Sequence, residues 1–178
     1  MDVQFAIKPE DVPDEFKYLS DAYLDAAENL NAQIASGHLS SSYQRGQVIL
    51  FLAFHAVELC LKACIMTVNP TANPAHHTLH KLADQINSLV PDLNYCVPFS
   101  IEPVSLASSE LREKMSANAK LAHQKHRYPA NNAGDPWQGV SAFSAQLFQQ
   151  ELQDIRSELV RIRHHAEEYR NGKLIDAP

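Results

Sequence analysis

The prolines and glycines of this chain fall between long runs of regularly spaced apolar residues rather than inside them. Glycine is scarce, with 5 among 178 residues, and no stretch alternates apolar and polar residues as a half-buried strand would. Scarce glycine also counts against glycine-rich phosphate loops and against β folds rich in tight turns. The pattern predicts an all-α fold whose helices end at proline and glycine.

Apolar residues three and four positions apart predict four long helices and one short helix. In chain order, the predicted helices run from Pro13 to the break at Gly37, from Ser42 to Val68, from Thr78 to Leu89, from Ser105 to Lys125 and from Ser141 to Arg170. Residues 90–104 and 129–140 are predicted to be irregular connections. Such elements predict a single domain, 1–178, built as an up-and-down bundle, with flexible termini at 1–12 and 173–178.

The same spacing predicts which side of a helix packs inward. In the first helix the inward residues are Phe16, Leu19, Tyr23, Ala26, Leu30 and Ile34. In the last helix they are Phe143, Leu147, Leu152, Ile155, Leu159, Ile162, Ala166 and Tyr169. Gly172 is the predicted residue that ends the last helix.

The second predicted helix contains an apolar segment, 48–68, that is long enough to span a membrane. His55, Glu58 and Lys62 lie near its middle, where charged groups are costly in a bilayer. We therefore expect a helix buried among the others, with no membrane partner. An odd number of cysteines, 3, and a start without a signal pattern predict a cytoplasmic protein.

Charge is concentrated at the beginning of the chain. The first 30 residues contain eight acids and two lysines, so the formal net charge of −6 belongs to this segment. Acids in the first turns of a helix complement its dipole, which explains the excess without an acidic-tail function. The remainder of the chain is neutral, and the net charge therefore says little about its partner.

Three groups of residues are candidates for chemistry. His55, Glu58 and Lys62 share one face of the central helix, and Glu58 and Lys62 have the spacing of an ion pair. These polar groups either satisfy each other's hydrogen-bonding and charge requirements, or Glu58 faces a basic residue of a cleft. His76, His80 and Asp84 share a face too, but no further ligand completes a metal site, so we predict neither a metal nor another cofactor.

The third group consists of two basic helix ends. Its members are Lys120, His123, Lys125, His126 and Arg127 in the fourth helix, and Arg161, Arg163, His164 and His165 in the last. These residues either complement the helix dipoles or, if the two ends are neighbours, form a surface for phosphate or an RNA backbone.

Three segments, FLAFHAVELCLKACI (51–65), HTLHKLADQI (77–86) and HRYP (126–129), resemble in order and spacing the HEPN domain family. The resemblance covers residues 14–170 and implies a helical bundle, a homodimer, and binding of RNA or a nucleotide. The positions that match the family's motifs, and that the resemblance implies for the binding site, are Glu58 and Lys62 of the central helix, His77 of the next helix, and Arg127 and Tyr128. Many family members are toxins or metal-independent ribonucleases paired with a nucleotidyltransferase-like antitoxin.

The nuclease branch of this family has an arginine followed by four to six residues and a histidine near the last helix. Here Arg161 precedes His165 by three intervening residues, and His164 lies beside it. Our leading expectation is a binding module for RNA, a nucleotide or a partner protein, to which Arg161 also contributes. The alternatives are a metal-independent endoribonuclease that uses Arg161 with His164 or His165, and a purely structural protein.

Overall fold

The computed structural model describes residues 12–98 and 143–175, and every regular element in these ranges is helical. The helices are α1 (Val12–Ala35), α2 (Tyr43–Val68), α3 (Leu79–Leu89) and α4 (Ala145–Ile175), and a 3₁₀ turn, Pro91–Leu93, follows α3. The predicted all-α class is confirmed for this part of the chain. The predicted helix 105–125 lies outside the described residues, as do the Lys120–Arg127 group and Tyr128.

Three predicted helix boundaries agree closely with the structure. Gly37 follows α1 with φ of +78°, a conformation that glycine adopts at little cost. Ser42 precedes α2, and its hydroxyl accepts a hydrogen bond from the backbone N–H of Arg45. Beyond α2, Asn69 turns the chain by accepting hydrogen bonds from the backbone and hydroxyl of Thr71.

The last helix differs from the prediction at both ends. Residues 143–144 precede the helix, and Phe143 packs against Gly46 of α2. At the other end α4 passes through Gly172 to Ile175. A glycine inside a helix costs only about 1 kcal/mol, too little to end one by itself. The predicted inward residue Leu147 is 78% exposed.

The direction of each helix follows from the contacts between them. Ser20 of α1 donates a hydrogen bond to the carbonyl of Ala56 in α2, and Asn31 near the end of α1 donates to the carbonyl of Ala145 at the start of α4. With the pairing of Lys17 to Glu167, these contacts make α1 antiparallel to α4. Since α1 and α2 are joined by a short connection, they are also antiparallel, and α2 runs parallel to α4.

The inward face of α1 is rotated from the predicted one. Its buried residues are Ser20, Leu24, Ala27, Asn31 and Ile34. Leu19 and Ala26 are exposed, and Phe16, Tyr23 and Leu30 are only partly buried. The prediction failed because two polar residues occupy inward positions, where Ser20 and Asn31 make the hydrogen bonds that join α1 to its neighbours.

Helix α2 lies at the centre and contacts each of the other three helices. By length and composition it is the one helix among the described residues that could cross a membrane. Most of its apolar side chains, however, are buried against α1, α3 and α4. An apolar helix that is covered by its neighbours is typical of a protein core.

Candidate functional site

The most distinctive polar group in the described structure is a set of four side chains, His55, Glu58, Lys62 and His77, which we call the Glu58 cluster. Three come from α2, where spacings of three and four residues place them on one side of the helix. His77 comes from the irregular segment before α3, which returns the chain to the side of α2. The structure therefore joins three residues that the resemblance to HEPN domains singles out.

The carboxylate of Glu58 is the centre of the cluster. Its Oε1 atom lies 2.9 Å from Nζ of Lys62 and 2.8 Å from Nδ1 of His77. The predicted pair of Glu58 and Lys62 is thus present. The side chain of Glu58 is 4% exposed and that of Lys62 is 10% exposed, whereas that of His77 is 63% exposed. The buried ion pair of Glu58 and Lys62 is therefore in contact with one imidazole, that of His77, which is exposed to solvent.

The surroundings of Glu58 keep it ionised. Burial alone would raise the pKa of this carboxyl, but the neighbouring His55, Lys62 and His77 outweigh burial and lower the pKa to about 2. Because an ionised carboxylate only accepts hydrogen bonds, Nδ1 of His77 is the donor in their contact. The other ring nitrogen, Nε2, is therefore the one left for chemistry.

His55 belongs to the cluster by position rather than by a hydrogen bond. Its Nδ1 lies 3.8 Å from Oε2 of Glu58 and is a buried atom without a hydrogen-bond partner. The ring stacks on Phe51, with 5.7 Å between ring centroids, and meets the edge of Tyr23 at 4.6 Å. These aromatic contacts fix the imidazole beside the carboxylate.

Arg161 and His164, two of the candidate residues of α4, pair with acids of their own helix. Arg161 donates from Nε and from one terminal nitrogen to the carboxylate of Glu158, and its other terminal nitrogen donates to the carbonyl of Leu93 at 3.0 Å. The hydrogen bond to Glu158 raises the pKa of Arg161. His164 pairs with Glu168 at 3.2 Å and is 67% exposed. His165 lies one turn beyond Arg161 and is half-buried.

A set of ion pairs between α1 and α4, hereafter the α1–α4 ion pairs, was not anticipated. It joins Lys17 to Glu167, Asp21 to Arg163, and both Asp25 and Glu28 to Arg156. The acids of α1 that the sequence analysis assigned to the helix dipole thus neutralise arginines of α4. The signal was present in the sequence, because 21, 25 and 28 share one helical face and 156 and 163 share another.

The second candidate group of the sequence analysis consists of His76, His80 and Asp84. No group of three histidine, cysteine, aspartate or glutamate side chains in residues 12–98 and 143–175 could bind a metal ion. His76 is exposed, and His80 and Asp84 lie on α3 without converging on a common point.

Sequence reasoning thus found the central pair of the cluster by spacing and its third member by resemblance, but it did not find the aromatic support of His55. Arg127 and Tyr128, the remaining residues of the predicted binding site, lie outside the described ranges. Comparisons of the chain with protein-family models, with curated proteins and with solved structures find no match.

Proposed function

We propose that this chain is a HEPN-like module that binds RNA or a nucleotide as a homodimer, with Glu58, Lys62 and His77 in its binding site. The observation that carries the proposal is the Glu58 cluster, in which residues of two separate segments meet around one buried carboxylate. A charged group buried this deeply is costly to maintain, and such groups are concentrated at functional sites.

The chemistry of the cluster suits a phosphate-bearing ligand. His77 is the solvent-exposed member, and Glu58 sets which face and which nitrogen of its ring are presented. Arg127 and Tyr128 belong to the same proposed site by resemblance. Arg161, whose donors already bind Glu158 and Leu93, would contribute its charge rather than new hydrogen bonds. A nucleotidyltransferase-like antitoxin is the protein partner that this proposal implies.

The proposal is tested by equilibrium binding with the full chain. Fluorescently labelled single-stranded RNA and, separately, a labelled adenine nucleotide are titrated at low salt, and the mass in solution is measured in parallel. We expect binding by a particle of twice the 19.9 kDa chain mass. His77→Ala and Arg127→Ala should weaken binding, and each lost phosphate contact should reduce the RNA salt slope by about one.

His38→Ala is the matched control, because His38 is also an exposed histidine and its ring contacts Ser36 instead of a carboxylate. This variant should bind as the wild type does. Absence of binding to both ligands at low salt would contradict the proposal. Binding that His77→Ala and Arg127→Ala leave unchanged would contradict the assignment of the site.

The two alternatives give different results in the same experiment. A metal-independent endoribonuclease would cleave the RNA in the presence of EDTA and would lose cleavage in His164→Ala or His165→Ala. A purely structural protein would bind neither ligand, and its variants would change only the midpoint of thermal unfolding. The engagement of Arg161 by Glu158 disfavours the first alternative, since a ribonuclease would need the donors of this arginine on the reacting phosphate.

A further inference from the structure

The histidine of the Glu58 cluster has a defined proton arrangement. Its Nδ1 lies 2.8 Å from a carboxylate oxygen of Glu58 that also accepts a hydrogen bond from Lys62. This oxygen has no proton to give, so the Nδ1 proton remains on the ring. In neutral His77 the lone pair is therefore on Nε2, at the far edge of the ring from the protein interior.

The exposure of the ring makes this nitrogen accessible. The side chain of His77 is 63% exposed, while its carboxylate partner is 4% exposed. One edge of the imidazole is consequently anchored and the other faces solvent. An imidazole that a buried carboxylate orients through Nδ1 is a better nucleophile at Nε2, because the carboxylate stabilises the positive charge that develops on the ring during attack.

The surroundings of His77 favour an anionic reagent over a cationic one. Residues 74–83 include three histidines and one lysine and contain no acid. Thr78, the next residue, precedes α3 and makes no side-chain capping bond, so the positive end of the α3 dipole is not closed by its own cap. These features support the choice of reagent, while the carboxylate–imidazole contact identifies the reacting atom.

We propose that His77 is a phosphoryl-acceptor site, at which Nε2 takes a phosphoryl group from an acyl phosphate while Glu58 orients the ring and balances its charge. The Nε2 lone pair forms a bond to phosphorus, and the bond from phosphorus to the acyl oxygen breaks. Its electron pair leaves with the carboxylate product. The Nδ1 proton stays in the hydrogen bond to Glu58, so no oxidant, reductant or further proton donor is needed.

The proposal does not depend on RNA or nucleotide binding, because an acyl phosphate contains neither. Failure of the binding experiments would leave it standing, and failure of phosphoryl transfer would leave the binding proposal standing. Lys62 has a supporting role only, since its ammonium donates a hydrogen bond to Glu58 and its side chain is 10% exposed.

The test is labelling of the full chain with acetyl phosphate near neutral pH. Peptide mapping under alkaline conditions, which preserve phosphohistidine, then compares the rate at each histidine of the same wild-type molecule. We expect His77 to be labelled at least roughly tenfold faster than His76 or His164, as a buried carboxylate partner commonly changes the reactivity of an imidazole by that factor or more. His164 is the closest match, because it is 67% exposed but pairs with a carboxylate that is itself 59% exposed.

Variants distinguish the effect of ring orientation by Glu58 from the effect of solvent exposure on the labelling rate of His77. Labelling at position 77 should be lost in His77→Asn, retained in His76→Asn, and slowed at least roughly tenfold in Glu58→Gln. Equal labelling of His76, His77 and His164 in the wild type would overturn the proposal, as would an unchanged rate in a folded Glu58→Gln. If Glu58→Gln does not fold, the comparison among wild-type histidines decides the question without it.

Discussion

Glu58 is a carboxylate with 4% of its side chain exposed, and such a group is tolerated in a protein interior only where donors and cations surround it. Lys62 and His77 provide these contacts, and His55 adds a third neighbour at longer distance. Removing one partner of a buried ion pair leaves the other charge uncompensated, which typically costs about 3–5 kcal/mol. The cluster is thus both a candidate site and a determinant of stability.

The first prediction concerns the pH dependence of stability. The pKa of Glu58 is about 2 in the folded protein, against an ordinary value of 4.5. Because folding lowers this pKa, the ionised carboxylate stabilises the fold above pH 4.5, and this contribution is lost as the pH falls from 4.5 towards 2. We expect a loss on the order of 3 kcal/mol in the free energy of unfolding over this interval.

Urea unfolding of the wild type and Glu58→Gln measures this contribution. The free energy of unfolding is compared at neutral pH and at several pH values between the two pKa values. The difference in free energy of unfolding between the wild type and Glu58→Gln should be largest at neutral pH and should decrease as the pH is lowered. If this difference in free energy of unfolding is constant across the interval, Glu58 has an ordinary pKa in the folded protein.

The second prediction concerns two glycines in helices with opposite environments. A Cβ atom on Gly46 would lie 2.6 Å from the ring of Phe143, whereas one on Gly172 would meet nothing within 4 Å. Gly46→Ala should therefore destabilise the protein by about 1–2 kcal/mol, since crowding outweighs the gain in helix propensity. Gly172→Ala should stabilise it by a few tenths to about 1 kcal/mol.

Thermal unfolding followed by circular dichroism tests both substitutions. Each replaces glycine by alanine within a helix, so intrinsic helix propensity acts in the same direction in the two variants. A rise in the melting temperature of Gly46→Ala would show that Phe143 moves aside without cost. The close approach of Phe143 to α2 would then be unnecessary for stability.

At the scale of elements, α1 joins the two parallel helices α2 and α4. Its contacts with α2 are buried and include the hydrogen bond from Ser20 to Ala56, whereas the α1–α4 ion pairs lie nearer the surface. Acids at 21, 25 and 28 face arginines at 156 and 163 because the helices are antiparallel and both sets repeat with helical spacing. Buried contacts therefore hold α1 against α2, and charge complementarity contributes to the contact of α1 with α4.

The third prediction compares two of these ion pairs. Arg156 donates from Nε and a terminal nitrogen to the two oxygens of Glu28, both at 2.8 Å, which is the bidentate geometry of strong pairs. Lys17 and Glu167 make a single contact of 3.0 Å, with the glutamate 52% exposed. We expect a coupling energy of about 1 kcal/mol for Arg156 and Glu28, and below about 0.5 kcal/mol for Lys17 and Glu167.

Double-mutant cycles with alanine, measured by urea unfolding, give both coupling energies. The Lys17 and Glu167 cycle is the control, because it joins the same two helices with one ion pair of simpler geometry. Added salt should reduce both values. Equal coupling in the two cycles would indicate that bidentate geometry adds nothing at this surface.

For the molecule as a whole, periodicity predicted the helices well where one side of a helix is uniformly apolar. The bounds of α2 and α3 and the end of α1 agree with the sequence analysis, and so do the buried positions from Leu152 to Ala166. The inward face of α1 could not be predicted in this way, because Ser20 and Asn31 are buried through hydrogen bonds that only the assembled bundle provides.

The candidate site was predictable to a smaller extent. The pair of Glu58 and Lys62 followed from their spacing within one helix, since neighbours four residues apart are close in any α-helix. The approach of His77 depends on how the chain returns after Asn69, which no local pattern specifies. Prediction of the α1–α4 ion pairs likewise required knowledge of the relative direction of the two helices, although the spacing of the charged residues was visible in the sequence.

The net charge of −6 therefore has a different meaning in the folded molecule from the one that the sequence suggested. Three of the acids in the first helix, Asp21, Asp25 and Glu28, bind arginines of α4. They are not spare charges directed at a helix dipole. Arg156 and Arg163 of α4 are consequently paired within the chain, and a phosphate-binding surface must depend on other basic groups.

The partners of α1 in α4 lie far along the chain, so α1 is synthesised long before the residues with which it pairs. Translation completes α1, α2 and α3 well before α4, which supplies Arg156, Arg163 and the carbonyl that Asn31 contacts. During that interval the nascent chain exposes a row of unpaired carboxylates beside an uncovered apolar surface of α2. Like charges on neighbouring nascent chains repel each other, so we expect the acids that later join α1 to α4 to oppose association of unfinished chains.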